Sequence, residues 1–327
     1  MWYNRDYQSC SELLRTPQEI LILAAILPAL RIYRAATHAQ STINKYIAAL
    51  ARFIHWCAQH DYCPLPASPQ ALLEYLRYLQ DIGHGIPDTL AQTSPIGCWH
   101  HTTGHPIPHS RELAIYLHGL RRMHVTKRAT PFSREDIAAL CAIIVLEAPL
   151  RAARDIALIC FMFAAALRPS EVRNMRREDL DFRPQGVILT IPTSKCSTNK
   201  PRTLTLAFGH GPLCPVRALQ RWLWLAKIES GYVFRRIDRN DQLITTEPFG
   251  RSTIAMIFER YAERLGLRGK ISPYSTRRGC ATTLMANGVS LDETRRHLRH
   301  KYAETTQGYV EDQPIPFNQS LTPLILP

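Results

Sequence analysis

The 327-residue sequence predicts a multidomain chain: an all-α N-terminal unit, then a mainly α-helical α+β unit carrying a small antiparallel sheet. Three observations carry that prediction. From about residue 40 to 122 the apolar residues recur at helical spacing only. The stretch Met123–Pro131 (MHVTKRATP) is polar and basic, has no hydrophobic period, and reads as a linker. Beyond it, two strand-like runs stand among further helical segments. An apolar content of 46% is enough to fill two cores of ordinary size and excludes a disordered chain.

In the first unit, Ser41 is placed to cap a helix whose apolar positions are Tyr46, Leu50, Phe53, Ile54 and Cys57. Ser68-Pro69 starts a second helix, with Leu72, Tyr75, Leu76 and Leu79 on one face and Gly83 as its stop. A third is expected over roughly Asp88 to His101, and a fourth carries Leu113, Tyr116, Leu117 and Leu120 and ends in Arg121-Arg122. Ahead of them, Ile20–Leu30 is apolar but only eleven residues long and contains Pro28. A membrane span needs about 20 residues, so a core-packing helix is expected there.

In the second unit, Ser133 caps a helix with Glu135 and Asp136 in its first turn. A helix over about Ala152 to Ala166 follows. Gly186–Thr193 and Arg202–Phe208 form a hairpin whose tip, Ser194–Pro201, is polar and basic. Helices are expected near 215–228, 252–265, 275–287, 291–298 and 303–310. The final stretch, Gln313–Pro327, holds four prolines and is not expected to be a long helix. The organisation expected is therefore an N-terminal extension (1–39), a helical domain (40–122), a basic linker (123–131), a second domain (132–312) and a tail (313–327).

Net charge is +13 and the pI about 9.5, with arginine well in excess of lysine. Such a balance points to a polyanionic partner, and arginine's planar fork suits phosphate. The nine cysteines are dispersed and contain no Cys-x-x-Cys, as expected of reduced, intracellular thiols. Cys98, His100, His101, His105 and His109 match no familiar zinc spacing and read as loop histidines with a neighbouring cysteine. Neither a metal nor a cofactor is expected, and no membrane association.

Cutting a phosphodiester without a metal needs a nucleophile in line with phosphorus. It also needs fixed donors for the non-bridging oxygens and a proton for the leaving 5′ oxygen. Arginine suits the donors because it stays charged and gives two parallel bonds. Lysine on a loop suits the proton. The chain offers Arg168 at a helix end in Ala-Ala-Ala-Leu-Arg-Pro-Ser-Glu, Lys195 at the hairpin tip, and Arg277 in Ser275-Thr276-Arg277-Arg278-Gly279. His300 follows in Leu298-Arg299-His300, and Tyr309, nine residues later, in Thr305-Thr306-Gln307-Gly308-Tyr309.

In that order, these boxes resemble the tyrosine recombinase family (phage integrases, the Xer recombinases and Cre), over about residues 40 to 310. Leu213–Leu219 resembles the helix entry after the family's lysine hairpin. Trp56-Cys57 and Leu65–Pro69 resemble its helical, SAM-like core-binding domain. The resemblance implies a site-specific recombinase in which Tyr309 forms a 3′-phosphotyrosyl link. Arg168, Arg277 and His300 would hold the transition state, Lys195 would protonate the leaving oxygen, and Glu171 would support Arg168. Arg121, Arg122, Lys127, Arg128, Lys200 and Arg278 are the expected DNA contacts. Implied partners are double-stranded recombination sites, three further copies of the chain in a tetramer on two sites, and DNA-bending accessory proteins. The implied location is the cytoplasm, on the nucleoid.

Two positions depart from the family. Tyr274 stands where histidine is usual; a phenol, with an ordinary pKa of about 10, donates a hydrogen bond but is a poor base, so Tyr274 is expected to orient and stabilise. Proton removal from Tyr309 then falls to water, aided by the cationic surroundings. Arg299 stands where glycine is common, and is expected to add positive charge beside the phosphate and to crowd the turn. Two other readings fit the same boxes: a DNA-binding relative that has lost the chemistry, and a relaxing topoisomerase of the type IB kind.

Overall fold

The computed structural model describes residues 40–124, 128–192 and 201–310. The Ile20–Leu30 segment, Lys127, the hairpin tip with Lys195 and Lys200, and the tail after Val310 lie outside the described residues. The chain divides into two compact units, one ending at Thr126 and the other beginning at Lys127.

The first unit is helical: α1 (Gln40–Gln59), α2 (Pro69–Asp81), α3 (Ile86–Ala91), α4 (Thr93–Thr102) and α5 (Arg111–Met123). Ser68 caps α2 by accepting the amide of Ala71 at 3.1 Å, and Ser110 does the same for α5 through Leu113. Phe53, Trp56, Tyr75, Leu76, Ile96, Trp99 and Leu113 meet in its core. Three expectations need correction. Ser41 falls inside α1 rather than ahead of it. The single helix expected over Asp88–His101 is two, because Pro95 has no N–H to give the carbonyl of Ala91 and the first helix ends there. His100 is likewise a buried helix residue, not a loop histidine. Its Nε2 accepts the amide of Ala67 and its Nδ1 donates to the carbonyl of Ile96, both at 2.8 Å.

The second unit comprises α6 (Arg134–Ile144), α7 (Pro149–Ala164), α8 (Pro169–Asn174), β1 (Leu180–Arg183), β2 (Gly186–Ile191), β3 (Arg202–Ala207) and α9 (Pro215–Leu225). It continues with β4 (Arg235–Ile237), β5 (Leu243–Pro248), α10 (Arg251–Arg264), α11 (Tyr274–Ala286), α12 (Leu291–Leu298) and α13 (Ala303–Val310). Ser133 and Asp136 form a reciprocal capping box on α6. The sheet is antiparallel in the order β1-β2-β3, and β4 pairs with β5 apart from it. Helix α7, buried along most of its length, is the centre of this unit. Asp241, in the β4–β5 turn, accepts the amides of Leu150 and Arg151 at 2.7 and 2.9 Å, which neutralises the start of α7. Inside, Asp155 takes bonds from Arg154 and the Tyr261 hydroxyl, so its buried charge is paired.

No helix among the described residues is long and apolar enough to cross a membrane. Nor do the described residues include a cluster of three or more His, Cys, Asp or Glu placed to hold a metal ion.

Candidate active site

Pro169 is the first residue of α8, and a residue before proline is driven to extended backbone; Arg168 accordingly sits at φ −79°, ψ 151° as the helix cap. Glu171, three residues on, folds back to it. Its carboxylate accepts the Arg168 amide at 2.9 Å and the Arg168 Nη1 at 2.7 Å. Burial pushes this carboxyl up, but Arg299, Arg168 and their hydrogen bonds outweigh that and hold it below the ordinary glutamate value.

Arg277 lies in the first turn of α11 and is fully buried. Its Nη1 donates to the carbonyl of Ala166 and its Nη2 to that of Leu298. Burial, then the nearby Arg168 and Arg299, bring it down to about 10, so it remains a cation at neutral pH. The helix can approach this closely only because residue 279 is glycine: a Cβ there would lie 2.0 Å from the carbonyl oxygen of Phe132. The segment ahead of α6 runs over this point, with the amides of Thr130 and Phe132 donating to the carbonyls of Lys270 and Ser275.

Arg299 closes α12 in the left-handed region, at φ 58°. A non-glycine residue costs roughly 1–2 kcal/mol there. The side chain turns inward, toward the α7–α8 turn. Nη1 reaches the carbonyls of Ala165 and His297, both at 2.9 Å; Nη2 reaches the carbonyl of Ala166 at 2.8 Å and Glu171 at 3.0 Å. Its charge is paired with the Glu171 carboxylate, and both side chains are only 5% exposed.

His300 follows directly and is buried. Its Nδ1 lies 2.9 Å from the hydroxyl of Thr306 on α13. Burial first, then Arg277, Arg168 and Arg299, push its pKa down to about 3, so the ring is neutral at physiological pH. The ring of Tyr309 meets it edge to face, centroids 5.0 Å apart. Tyr309 also packs against Ala166, Cys280, Ala281 and Leu298. Its carbonyl accepts Arg278 at 3.3 Å, and that of Gly308 accepts Arg128 at 2.7 Å.

A cleft of about 510 Å³ opens here, lined among others by Tyr274, Tyr309, Arg278, Arg128 and Lys270. Tyr274, the first residue of α11, is 45% exposed. The second unit thus brings together Arg168, Glu171, Arg277, His300 and Tyr309, with Tyr274 on the same cleft as Tyr309. Arg278, expected on a DNA surface, is buried against the backbone of Tyr309. Arg121 and Arg122 are exposed on the last turn of α5, in the first unit. Lys195, Lys200 and Lys127 lie outside the described residues.

Residues 132–314 match the model of the phage integrase family. Across 283 residues the chain is 31% identical to an integrase/recombinase XerD homolog of Selenomonas ruminantium, covering 84% of this chain and 82% of that one. The chain belongs to the phage integrase family, the tyrosine recombinases. Another relative is the recombinase Cre of Escherichia phage P1, 24% identical over 73% of this chain and 74% of its own. The fold agrees with the Tn1549 transposon integrase solved with transposon right-end DNA: TM-score 0.64, 13% identity, 92% of this recombinase and 98% of that chain. It agrees also with XerH bound to a palindromic difH substrate, at TM-score 0.63 and 15% identity over 98% and 92% of the two chains.

Thr306, Lys270 and the partner of Arg299 were not legible in the sequence of this recombinase. Thr306 stood inside a quoted motif without a role. Arg299 was noted, but its partner Glu171 is 128 positions away. Lys270 lies outside every motif, and its only sequence signal is a positive charge four residues before Tyr274.

Proposed function

We propose that this recombinase cuts and rejoins duplex DNA at specific sites through a covalent link to Tyr309. As a tyrosine recombinase it acts on DNA by strand breakage and rejoining. The observation that best supports the residue roles is the edge-to-face contact of Tyr309 with a neutral His300 beside Arg168 and Arg277. In the proposed step the Tyr309 oxygen attacks the scissile phosphorus and loses its proton to water. A 3′-phosphotyrosyl bond forms and the bond to the 5′ oxygen breaks. Arg168, Arg277 and His300 donate to the non-bridging oxygens, whose charge grows in the transition state. Lys195 supplies the proton to the departing 5′ hydroxyl, a role that rests on its place in the sequence. Tyr274 adds a hydrogen bond from the cleft rim. Attack of a partner strand's 5′ hydroxyl on the link releases Tyr309 and exchanges strands, so neither a nucleotide cofactor nor a metal is called for.

The Tn1549 integrase has been solved with transposon right-end DNA, XerH with a palindromic difH substrate and λ integrase on a COC′ core site; by extension, double-stranded sites are this chain's partner. Four copies on two sites, with DNA-bending accessory proteins, complete the reading. The test is incubation without metal on a nicked duplex bearing the protein's own flanking DNA, followed by a denaturing gel. An adduct from the native protein, absent with Tyr309→Phe, supports the reading. The complete burial of Arg277 favours one alternative, a clamp that binds DNA without cutting it. Tight DNA binding with no adduct would select it.

A further inference from the structure

Glu171 and the carbonyl of Ala166 each serve two arginines. Glu171 accepts Arg168 at 2.7 Å and Arg299 at 3.0 Å. The Ala166 carbonyl accepts Arg277, and also Arg299 at 2.8 Å. Arg299 is therefore the one side chain of the described network bonded to both supports, one under each of the two arginines assigned to the phosphate. Ala166 and Arg299 are both left-handed, at φ 45° and 58°. Two such strained residues persist only where the surroundings over-determine them. The Arg299 guanidinium supplies that constraint: one bond returns to His297 in α12, and three reach Ala165, Ala166 and Glu171 in the α7–α8 turn and the start of α8.

We propose that Arg299 is a positioning residue of the phosphate site, a buried strut that sets Arg168 through Glu171 and Arg277 through Ala166. A second consequence follows from charge. Glu171 alone with Arg168 would form a closed pair and neutralise the cation the phosphate needs. Shared with Arg299, it orients Arg168 and leaves net positive charge in the pocket. Arg299 is only 8% exposed, so it acts on the rate of cutting rather than on DNA affinity. This inference rests on the cleavage reading above.

The test combines Arg299→Gly, Arg299→Lys, Glu171→Gln and the double variant Arg299→Gly/Glu171→Gln. Glycine suits the left-handed backbone, and thermal melting checks the fold of each. Single-turnover cleavage of a saturating nicked duplex is expected to slow by about 10- to 100-fold in Arg299→Gly, the scale of a misplaced catalytic group, with DNA affinity unchanged. Lysine, a point charge without the fork, recovers part of the loss. The double variant is no slower than Arg299→Gly alone, because both changes break one network. Native-rate cleavage by Arg299→Gly, or losses that multiply, would overturn the proposal.

A readout free of cleavage separates this proposal from the recombinase reading. The Arg168 amide is held by Glu171 at 2.9 Å, so its hydrogen exchange should quicken in Arg299→Gly, or in Arg299→Lys if the glycine variant does not fold. Unchanged exchange sinks the strut even if the native protein cuts DNA. Absence of any native adduct sinks the recombinase reading and leaves the exchange result to decide the strut.

Discussion

His300 and Thr306 are joined side chain to side chain at 2.9 Å, and both are buried. Thr306 stands one helical turn before Tyr309, so the bond ties the orientation of the imidazole to the seating of α13, which carries the proposed nucleophile. It also leaves Nε2 for the reacting groups. Thr306→Val keeps the shape and removes the hydroxyl. Cleavage is expected to fall by roughly tenfold, about 1.4 kcal/mol, the net worth of one buried hydrogen bond. Single-turnover rates at saturating DNA check this; a native rate would deny Thr306 its orienting role.

His300 also makes stability depend on pH. The unfolded imidazole takes a proton near 6.5, whereas the folded one resists it down to about 3. Between those values the unfolded chain binds more protons, so its share of stability is intact above 6.5 and is lost as pH falls. The slope reaches about 1.4 kcal/mol per pH unit at most. Melting temperature measured from neutral pH into this window should drop faster for the native protein than for His300→Gln. Parallel curves would contradict the depressed value.

Much of this site could be read from sequence, because its residues sit where local rules act. Pro169 fixes Arg168 as a helix cap, Ser133 announces α6, and the Arg277 and Tyr309 boxes each fall on a helix as expected. Long-range pairings were not legible. Nothing near Arg299 in the chain signals Glu171, and nothing near Asp241 signals that it caps α7. Strand β1 was missed because Leu-Asp-Phe-Arg is too short and too charged to stand out, and β4 has only three residues.

Tyr274 occupies the cleft rim without the imidazole usual in the family. Tyr274→Phe, which loses only a donor, should slow cleavage a few-fold, roughly the 0.5–1.5 kcal/mol of one hydrogen bond. Tyr274→His should cut at least as fast as the native protein near neutral pH and show a new inflection near the imidazole pKa of about 6.5. A pH–rate profile decides it. A fully active phenylalanine variant beside a histidine variant with no new inflection would show that the position takes no part in catalysis.

Gly279 lets α11 lie against the segment ahead of α6, and the atom a side chain would strike is backbone, the Phe132 carbonyl at 2.0 Å. Gly279→Ala should destabilise the second unit by about 2–3 kcal/mol, the scale of overpacking where nothing can yield. Urea unfolding would show a lower midpoint at unchanged slope. A shift within about 0.5 kcal/mol, the range of a neutral surface change, would mean the backbone at Phe132 moves aside freely.

The central claim is that Tyr309 is the atom-to-atom link to DNA. The direct measurement is mass spectrometry of the peptide that stays attached to DNA after metal-free incubation on a nicked duplex and proteolysis. A 3′-phosphonucleotide on Tyr309 is the expected result. Attachment at another residue, or none on DNA the protein demonstrably binds, would contradict the account.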